Sequence, residues 1–267
     1  MKRQTSVKIL LGIWFLIAVS AGLRADPLDS WTSRNSGTSE HLFATAYANG
    51  TFVVGATNGV ILSSSDGVAW NLRSSNTTND LEAVTFGGGT FVMVGANGTV
   101  LTSSDGLTWT KQTSGFASAF HAISYGNSVF VAVGFGGGIL TSPDGVTWTK
   151  RNSGTTFSLQ GIAYGNGGFV AVGSSGVALT SPDGVNWTSQ NSGTGNSLHA
   201  VNFGNQTFVA MGYLGTVVTS ANGIAWTSQN SGTANSLRGG IYTNGRDRKS
   251  TRLNSSHPRL SRMPSSA

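Results

Sequence analysis

Hydrophobic residues recur along the chain in four short runs that repeat every 39 residues. The runs have the form LxAVxYG, TFVAVG, GxxLTS and VxWTxxxSG, and Gly, Asn and Asp separate them. Short runs rich in Val, Phe, Tyr, Trp and Thr between turn residues predict β-strands. GNG or GNQ after the first run and SPDG after the third predict hairpin turns, because Gly and Asn tolerate positive φ. No helical period follows the N-terminal segment.

The 39-residue spacing is clearest at one aromatic position and one apolar position. The aromatic position is Trp31, Trp70, Trp109, Trp148, Trp187 and Trp226. The apolar position that opens each unit is Leu42, Leu81, Phe120, Leu159, Leu198 and Leu237. Four strands in about 40 residues is the size of one propeller blade. The sequence therefore predicts an all-β protein, a β-propeller. A β-helix is the competing architecture, but its rungs are shorter and need no large aromatic once per unit.

The repeat predicts the domain boundaries. Five complete blades are expected at 42–80, 81–119, 120–158, 159–197 and 198–236. Partial strands at 29–41 and 237–245 flank them, so the propeller as a whole is predicted over 26–245. The repeat stops after Gly245, since Asp247 and Arg248 stand where Phe and Val should recur. We expect the two partial segments to form one split, incomplete blade with open strand edges.

Composition changes this picture at the two ends of the chain. The formal net charge is +6, yet residues 1–24 carry +4 and residues 246–267 carry +5, which leaves −3 for the body. A body with so little charge argues against long-range attraction to polyanions, and we expect no nucleic-acid partner. The chain has no cysteine, so the fold must be held by packing rather than by disulfides.

Both terminal segments lie outside the repeat. Residues 1–25 are predicted to be a signal peptide, because a basic start precedes an apolar run of 14 residues that is short of a membrane span. Cleavage is expected after Ala21 or Ala25, and an uncleaved anchor is the alternative. We expect a secreted, periplasmic or cell-surface bacterial protein with no transmembrane span after cleavage. Residues 246–267 are expected to be a basic disordered tail or translated vector sequence.

One turn motif carries a family resemblance. SSDGVAW (64–70), SSDGLTW (103–109), SPDGVTW (142–148) and SPDGVNW (181–187) are similar to the Asp-box, or bacterial neuraminidase repeat, of sialidase-type propellers. The unit over 29–245 also resembles the repeat of photosystem II stability/assembly-factor-like propellers of exported bacterial proteins. The fifth unit departs from the motif, because Asn222 replaces the Asp.

The resemblance implies a structural turn, in which the Asp accepts backbone N–H groups and the Trp packs beneath the hairpin. The residues concerned are Asp66, Asp105, Asp144, Asp183, Trp70, Trp109, Trp148 and Trp187.

The same resemblance raises the hypothesis of a glycosidase, which the residues do not support. A sialidase-type site implies an arginine cluster, a Tyr–Glu pair and an acid Asp. Arg34, Arg73 and Arg151 share one position on the outermost strand, where other units have Gln, and are expected around the rim. The tyrosines share an innermost-strand position with Phe and are expected in the core: Tyr47, Tyr125, Tyr164 and Tyr242. We expect no catalytic residue, no metal and no cofactor.

Positions that vary while the scaffold repeats indicate where a ligand could bind. One of them follows the apolar residue that opens each unit and is predicted to ring the channel mouth opposite the Asp-box turns: Phe43, Glu82, His121, Gln160, His199 and Arg238. The loops after the second strands add the bulky residues Phe135, Tyr213 and Leu214. The hypothesis is a shallow polar and aromatic site for a protein, peptide or glycan, and tolerated surface drift is the alternative.

The function predicted from the sequence is therefore that of an exported, non-catalytic binding or assembly scaffold. Two other classes stay open. One is a sialidase-like glycoside hydrolase whose catalytic residues lie in a missing C-terminal part, and the other is a surface or adhesion module of a larger protein.

Overall fold

The structure, a computed structural model, describes residues 32–243 and 246–251, with side chains through residue 240. The predicted signal peptide and residues 252–267 lie outside the described residues. Compact packing divides the chain after Asn35, and every strand belongs to the second unit, Ser36–Ala267. The helical structure in the described part consists of short 3₁₀ turns, and none of it has the length and apolar run that crossing a bilayer requires.

Five consecutive sheets contain four antiparallel strands each, hydrogen-bonded in chain order. The first strands are β1 (Leu42–Ala48), β5 (Leu81–Gly87), β9 (Phe120–Gly126), β13 (Leu159–Gly165), β17 (Leu198–Gly204) and β21 (Leu237–Thr243). The second strands are β2 (Thr51–Ala56), β6 (Thr90–Gly95), β10 (Val129–Gly134), β14 (Gly168–Gly173), β18 (Thr207–Gly212) and β22 (Arg246–Thr251).

The third strands are β3 (Ile61–Ser64), β7 (Val100–Ser103), β11 (Ile139–Ser142), β15 (Val177–Ser181) and β19 (Val217–Ser220). The fourth strands are β4 (Asn71–Arg73), β8 (Thr110–Gln112), β12 (Thr149–Arg151), β16 (Thr188–Asn191) and β20 (Thr227–Gln229). A 3₁₀ turn joins each second strand to the third: Thr57–Gly59, Ala96–Gly98, Phe135–Gly137, Ser174–Gly176 and Tyr213–Gly215. The predicted all-β propeller of four-stranded blades is confirmed.

The hydrophobic core lies between consecutive sheets. Val53 and Ile61 of the first sheet pack in one buried cluster with Leu81, Phe91 and Met93 of the second. The other sheets pair in the same way, and the first strands of consecutive sheets contact each other. A single sheet leaves its apolar face open, so each blade depends on its neighbour for burial.

The innermost strands fit together through a glycine and an aromatic ring. A Cβ at Gly126 would lie 2.1 Å from Cγ of Tyr164, and one at Gly87 would lie 2.0 Å from Cγ of Tyr125. Each ring therefore packs directly on the backbone of the preceding blade. Tyr125 and Tyr164 are half-buried in these positions.

The first sheet differs because one of its faces is uncovered. Leu42 is 47% exposed, whereas the residues that open the next sheets are fully buried: Leu81, Phe120, Leu159 and Leu198. Tyr47 is 59% exposed, so the prediction that it belongs to the core is wrong. A core position in a propeller is buried by the preceding blade, and no described part of the chain covers β1 in this way. The side chain of Tyr242 lies outside the described residues.

Beyond the last complete sheet, β21 pairs with β22 in an antiparallel ladder. The pair Tyr242 and Asp247 corresponds to the pair Phe203 and Phe208 in the preceding sheet. The sequence predicted no strand after Gly245, and the structure differs here. A ladder is made by backbone groups, which are present even where the side-chain pattern of the repeat has stopped.

Candidate functional site

The varied position that was predicted to line the channel mouth is a β-bulge. In the second sheet, Leu81 pairs with Gly95 and Ala83 pairs with Val94, so Glu82 is left between them as an extra residue. The pairing skips the same position in the other first strands: Phe43, His121, Gln160, His199 and Arg238. A bulge bends the strand and re-aims the side chain of the extra residue. We call these six residues the bulge row.

Neighbouring members of the bulge row contact each other. His121 Nδ1 lies 2.8 Å from Glu82 Oε2, and both side chains are about three-quarters buried, with relative exposures of 28% and 26%. His199 Nδ1 is hydrogen-bonded to Gln160 Oε1. Each pair joins equivalent positions of consecutive sheets, 39 residues apart. The structure thus brings the predicted polar residues together, two by two, along the first strands.

His199 carries the clearest electrostatic signature in the row. Burial disfavours the imidazolium and lowers the pKa of His199, and the positive charge of Arg238 lowers it further. An amide oxygen only accepts, so Nδ1 of His199 must donate to Gln160, and the neutral ring then presents Nε2 as an acceptor. Nε2 is buried and has no hydrogen-bond partner among the described residues. A hydrogen bond from a donor that reaches Nε2 would be stabilising, because it would satisfy a buried acceptor.

The 3₁₀ turns lie on the same face as the bulge row. Gln160 Nε2 donates to Ser174 Oγ at 3.2 Å, which joins the row to the turn Ser174–Gly176. Phe135, Tyr213 and Leu214 project from two of these turns and are exposed. The polar row and the bulky loop residues predicted from the sequence therefore share one face.

The Asp-box turns lie at the opposite ends of the sheets, since they connect third strands to fourth strands. In the third sheet, Asp144 Oδ1 accepts the N–H groups of Val146 and Thr147, both at 2.8 Å. Trp148 Nε1 donates to the carbonyl oxygen of Gly145 at 2.9 Å. Asp66, Asp105 and Asp183 accept the corresponding N–H groups in their own turns. Trp109 is buried, and Trp70, Trp148 and Trp187 are half-buried.

These hydrogen bonds keep the four Asp-box carboxylates ionised. The backbone N–H of Asn186, followed by that of Val185, lowers the pKa of Asp183 to about 2. Backbone N–H groups likewise lower the pKa values of Asp66, Asp105 and Asp144. A general acid for glycoside hydrolysis needs a raised pKa, which is the opposite shift.

The arginines of the outermost strands stay apart, in separate sheets. Arg73 Nε donates to Ser63 Oγ at 2.7 Å in the first sheet, and Arg151 Nε donates to Thr141 Oγ1 at 2.8 Å in the third. Gln112 makes the same bond to Thr102 Oγ1 in the second sheet. Arginine and glutamine thus perform one structural task at this position. The described residues contain no group of three or more His, Asp or Glu that could hold a metal ion.

Comparison with known proteins bears on the fold. The family model of the DUF6242 beta propeller domain matches residues 83–198. YCF48 from Cyanidioschyzon merolae is similar in structure, with a TM-score of 0.66 at 17% identity over 83% of this chain and 82% of that one. The chain has a β-propeller fold. A structure of YCF48 bound to D1 peptide is similar to this propeller with a TM-score of 0.67 at 17% identity, over 86% of this chain and 79% of that one.

A designed protein shares the same architecture. The crystal structure of the computationally designed Ika8 protein matches this propeller with a TM-score of 0.64 at 17% identity, over 79% of this chain and 68% of that one. No curated protein matches the sequence at a significant level. At this identity the structural likenesses establish the fold, and function has to be argued from the site.

Proposed function

We propose that this chain is an exported, non-catalytic β-propeller of the Asp-box type that serves as a binding or assembly scaffold. Its partner binds the face that carries the bulge row and the 3₁₀ turns. The partner is a protein, a peptide or a glycan, and a peptide or protein is the class that we favour. The proposal of export rests on the predicted signal peptide at residues 1–25.

The observation that carries the proposal is the bulge row itself. Consecutive sheets present a different side chain at one repeated, re-aimed position, while the apolar positions around it stay the same. The row offers a carboxylate at Glu82 and an exposed guanidinium at Arg238, and beneath them lies the buried, unpaired acceptor His199 Nε2. One face thus carries charges of both signs together with hydrogen-bond donors and acceptors. A polar, extended partner can bind several of these groups at once.

The similar YCF48 structure adds support for a peptide or protein partner. That protein was solved bound to D1 peptide, and it shares the propeller fold with this chain. The likeness in fold does not carry the identity of a ligand from one protein to the other. It shows that a propeller of this shape can hold a peptide.

A non-catalytic role agrees with the state of the carboxylates. The four Asp-box aspartates lie in four different sheets and accept backbone N–H groups of their own turns. A glycosidase requires two carboxyl groups that face each other across one bond, one of them protonated. The four Asp-box aspartates are instead spread over four sheets and have lowered pKa values.

The proposal is tested by measuring how tightly the wild type and two matched triple variants bind to the peptides of an array. A triple variant with His121→Ala, His199→Ala and Tyr213→Ala removes side chains from the proposed face. The matched control carries Leu107→Ala, Val146→Ala and Val185→Ala, which remove exposed side chains from the Asp-box turns on the other face. We expect the peptides bound by the wild type to lose about tenfold or more in affinity for the first variant only. Thermal melting shows that both variants are folded.

Two outcomes would overturn the proposal. One is a bulge-face variant that binds every captured peptide as tightly as the wild type does. The other is an equal loss of binding in both triple variants.

A further inference from the structure

A wide-open surface pocket of about 650 Å³, here called the cavity, lies where the first and second sheets meet. Its walls come from the end of the first 3₁₀ turn, from the segment 74–79, from Leu72 and Arg73 of β4, and from Lys111 of β8. No member of the bulge row lines it. It is therefore separate from the face to which the proposed function assigns the partner.

Two cationic side chains meet at this cavity. Neither Arg73 nor Lys111 forms an ion pair with a described residue. Two carboxylates near the 3₁₀ turn, Glu40 and Asp80, accept hydrogen bonds from Asn58, and neither lines the cavity. Arg73 and Lys111 are thus left without a carboxylate within 4 Å among the residues that the structure describes.

A pair of cations from two neighbouring sheets occurs at one border among the five sheets. The position of Arg73 is Gln in the second, fourth and fifth sheets, at Gln112, Gln190 and Gln229. The position of Lys111 is Ser in the fourth and fifth sheets, at Ser189 and Ser228. The third sheet carries both Lys150 and Arg151, but these are adjacent in β12, and adjacent residues of a strand point to opposite faces of the sheet. The repeat thus tolerates neutral residues at both positions, and only the border between the first two sheets places two cations across from each other.

Amide and guanidinium donors are left over on two side chains that line the cavity, Asn76 and Arg73. Ser74 Oγ donates to Asn76 Oδ1 at 3.0 Å, which uses the amide oxygen and leaves the NH₂ group of Asn76. Both ends of the Asn79 amide are hydrogen-bonded, since Nδ2 donates to Thr99 Oγ1 and Oδ1 accepts from Asn97 Nδ2. Arg73 Nε donates to Ser63 Oγ, which leaves the two terminal nitrogens of the guanidinium group. A donor-rich, cationic site suits an oxyanion, and a guanidinium fork suits a carboxylate in particular.

The strand edge beside the cavity favours an extended peptide as the carrier of that carboxylate. β4 is the outermost strand of its sheet, so in the described part of the chain its outer edge is unpaired. An extended segment can add to such an edge, with successive side chains pointing to opposite sides. Leu72 is 61% exposed next to Arg73 and offers an apolar surface to the alternate residues.

From these observations we infer that the cavity binds an acidic, extended peptide segment of a partner protein, with a Glu or Asp carboxylate between Arg73 and Lys111. This site goes beyond the proposed function, since it uses other residues and another region of the surface.

Substitutions that the repeat already contains give clean variants. Arg73→Gln installs the residue of the sister positions, which keep the bond to the third strand, as Gln112 does to Thr102 at 2.8 Å. Lys111→Ser installs the residue found in the fourth and fifth sheets. The matched control is Arg151→Gln with Lys150→Ser in the third sheet, which makes the same changes in type and charge away from the cavity.

The probe is a fluorescein-labelled EVEVE peptide with blocked ends, and the readout is fluorescence anisotropy at low salt with the full chain. We expect saturable binding to the wild type, about tenfold weaker binding to the Arg73→Gln, Lys111→Ser variant, and a change within about twofold in the third-sheet control. The neutral peptide QVQVQ should bind at least about tenfold more weakly than EVEVE. The triple variant of the bulge face should bind EVEVE as the wild type does, which separates this site from the proposed function.

Several results would overturn the inference. They are the absence of saturable binding, an equal loss in the cavity and control variants, and a loss in the bulge-face variant. A fourth is Arg73-dependent binding of an oligogalacturonate in place of the peptide, which would assign the site to an acidic glycan.

Discussion

At each Asp-box turn, one side-chain oxygen accepts two backbone N–H groups and so fixes the hairpin. Asp183 Oδ1 does this at 2.8 and 3.0 Å, and in the fifth sheet the amide oxygen of Asn222 does it at 2.9 and 3.2 Å. The geometry therefore needs an oxygen at this position and not a charge. The charge shortens the bonds, as expected for an ionised acceptor.

The acid stability of the protein should report on this charge. The folded state lowers the pKa of Asp183 from 3.8 to about 2, so its contribution is fully present above the higher value and is lost as the pH falls toward the lower one. We expect Asp183→Asn to lower the melting temperature at pH 7. The difference in melting temperature between the variant and the wild type should become smaller as the pH falls from about 4 to about 2. Melting curves of both proteins across this range provide the measurement, and a difference that does not change with pH would contradict the explanation.

The 3₁₀ turns place two adjacent residues at positive φ, and only one of the positions requires glycine. Gly137 has a φ of 74°, and a Cβ there would lie 2.0 Å from the carbonyl oxygen of Thr155. Gly136 has a φ of 64° with nothing within 4 Å of a Cβ, and Asn58 and Asn97 occupy the same position in other turns.

We expect Gly137→Ala to cost about 2–4 kcal/mol of the free energy of unfolding, because it adds left-handed strain to a clash with backbone. Gly136→Asn is the matched control and should change it by less than about 0.5 kcal/mol. Urea denaturation of the two variants gives both values. Equal destabilisation by the two substitutions would show that the turn, and not the contact with Thr155, sets the requirement.

At the scale of elements, each first strand is stabilised by the sheet that precedes it. Leu159 is fully buried in a cluster that includes Val131, Val133 and Ile139 of the preceding sheet. Leu42 opens the first sheet at the equivalent position and is 47% exposed. The same residue type at the same place in the repeat therefore has two different environments.

Because the two leucines differ in burial, replacement by Ala should lower the free energy of unfolding by different amounts at the two positions. Leu159→Ala should lower the free energy of unfolding by about 2–5 kcal/mol, because it removes buried methyl groups and leaves a cavity. Leu42→Ala should lower it by less than about 1 kcal/mol, since much of that side chain is already in water. Chemical denaturation measures both, and a cost at Leu42 similar to that at Leu159 would mean that another part of the protein covers the first sheet in solution.

The strands could be predicted from sequence because their signals are local. Alternating apolar residues, a spacing of 39 and turn residues such as Asn166 and Gly167 mark the elements without any knowledge of the tertiary structure. The bulges could not be predicted, because every unit contains one and the period therefore stays constant. The strand β22 was missed for a related reason, since its residues do not carry the pattern that its backbone pairing follows.

For the whole molecule, the sequence predicted which positions vary from blade to blade more readily than which side chains contact each other. The bulge row was found as a position that varies, but the contacts of His121 with Glu82 and of His199 with Gln160 depend on how closely consecutive sheets approach. The cavity at the first border was missed because Arg73 and Lys111 occupy different positions of the repeat, which a comparison of equivalent residues never sets side by side.

The charge distribution at this scale supports recognition by short-range contacts. The described residues between positions 32 and 243 include six Lys or Arg and seven Asp or Glu, and the one contact formed there between a basic and an acidic side chain joins His121 to Glu82. A nearly neutral surface does not steer a charged partner from a distance. The proposed partners must then be retained by short-range contacts at the bulge row and at the cavity.

The bulge also separates the residues that a blade needs for folding from the one that it presents at the proposed binding face. Each extra residue stands outside the ladder, so the apolar residues on either side, such as Leu198 and Ala200, keep their pairing whichever side chain lies between them. A lineage of such genes can change the partner by single substitutions, one blade at a time, and each duplicated blade brings one more position that is free to diverge. The same property makes these six codons a natural place to build a combinatorial library of binders.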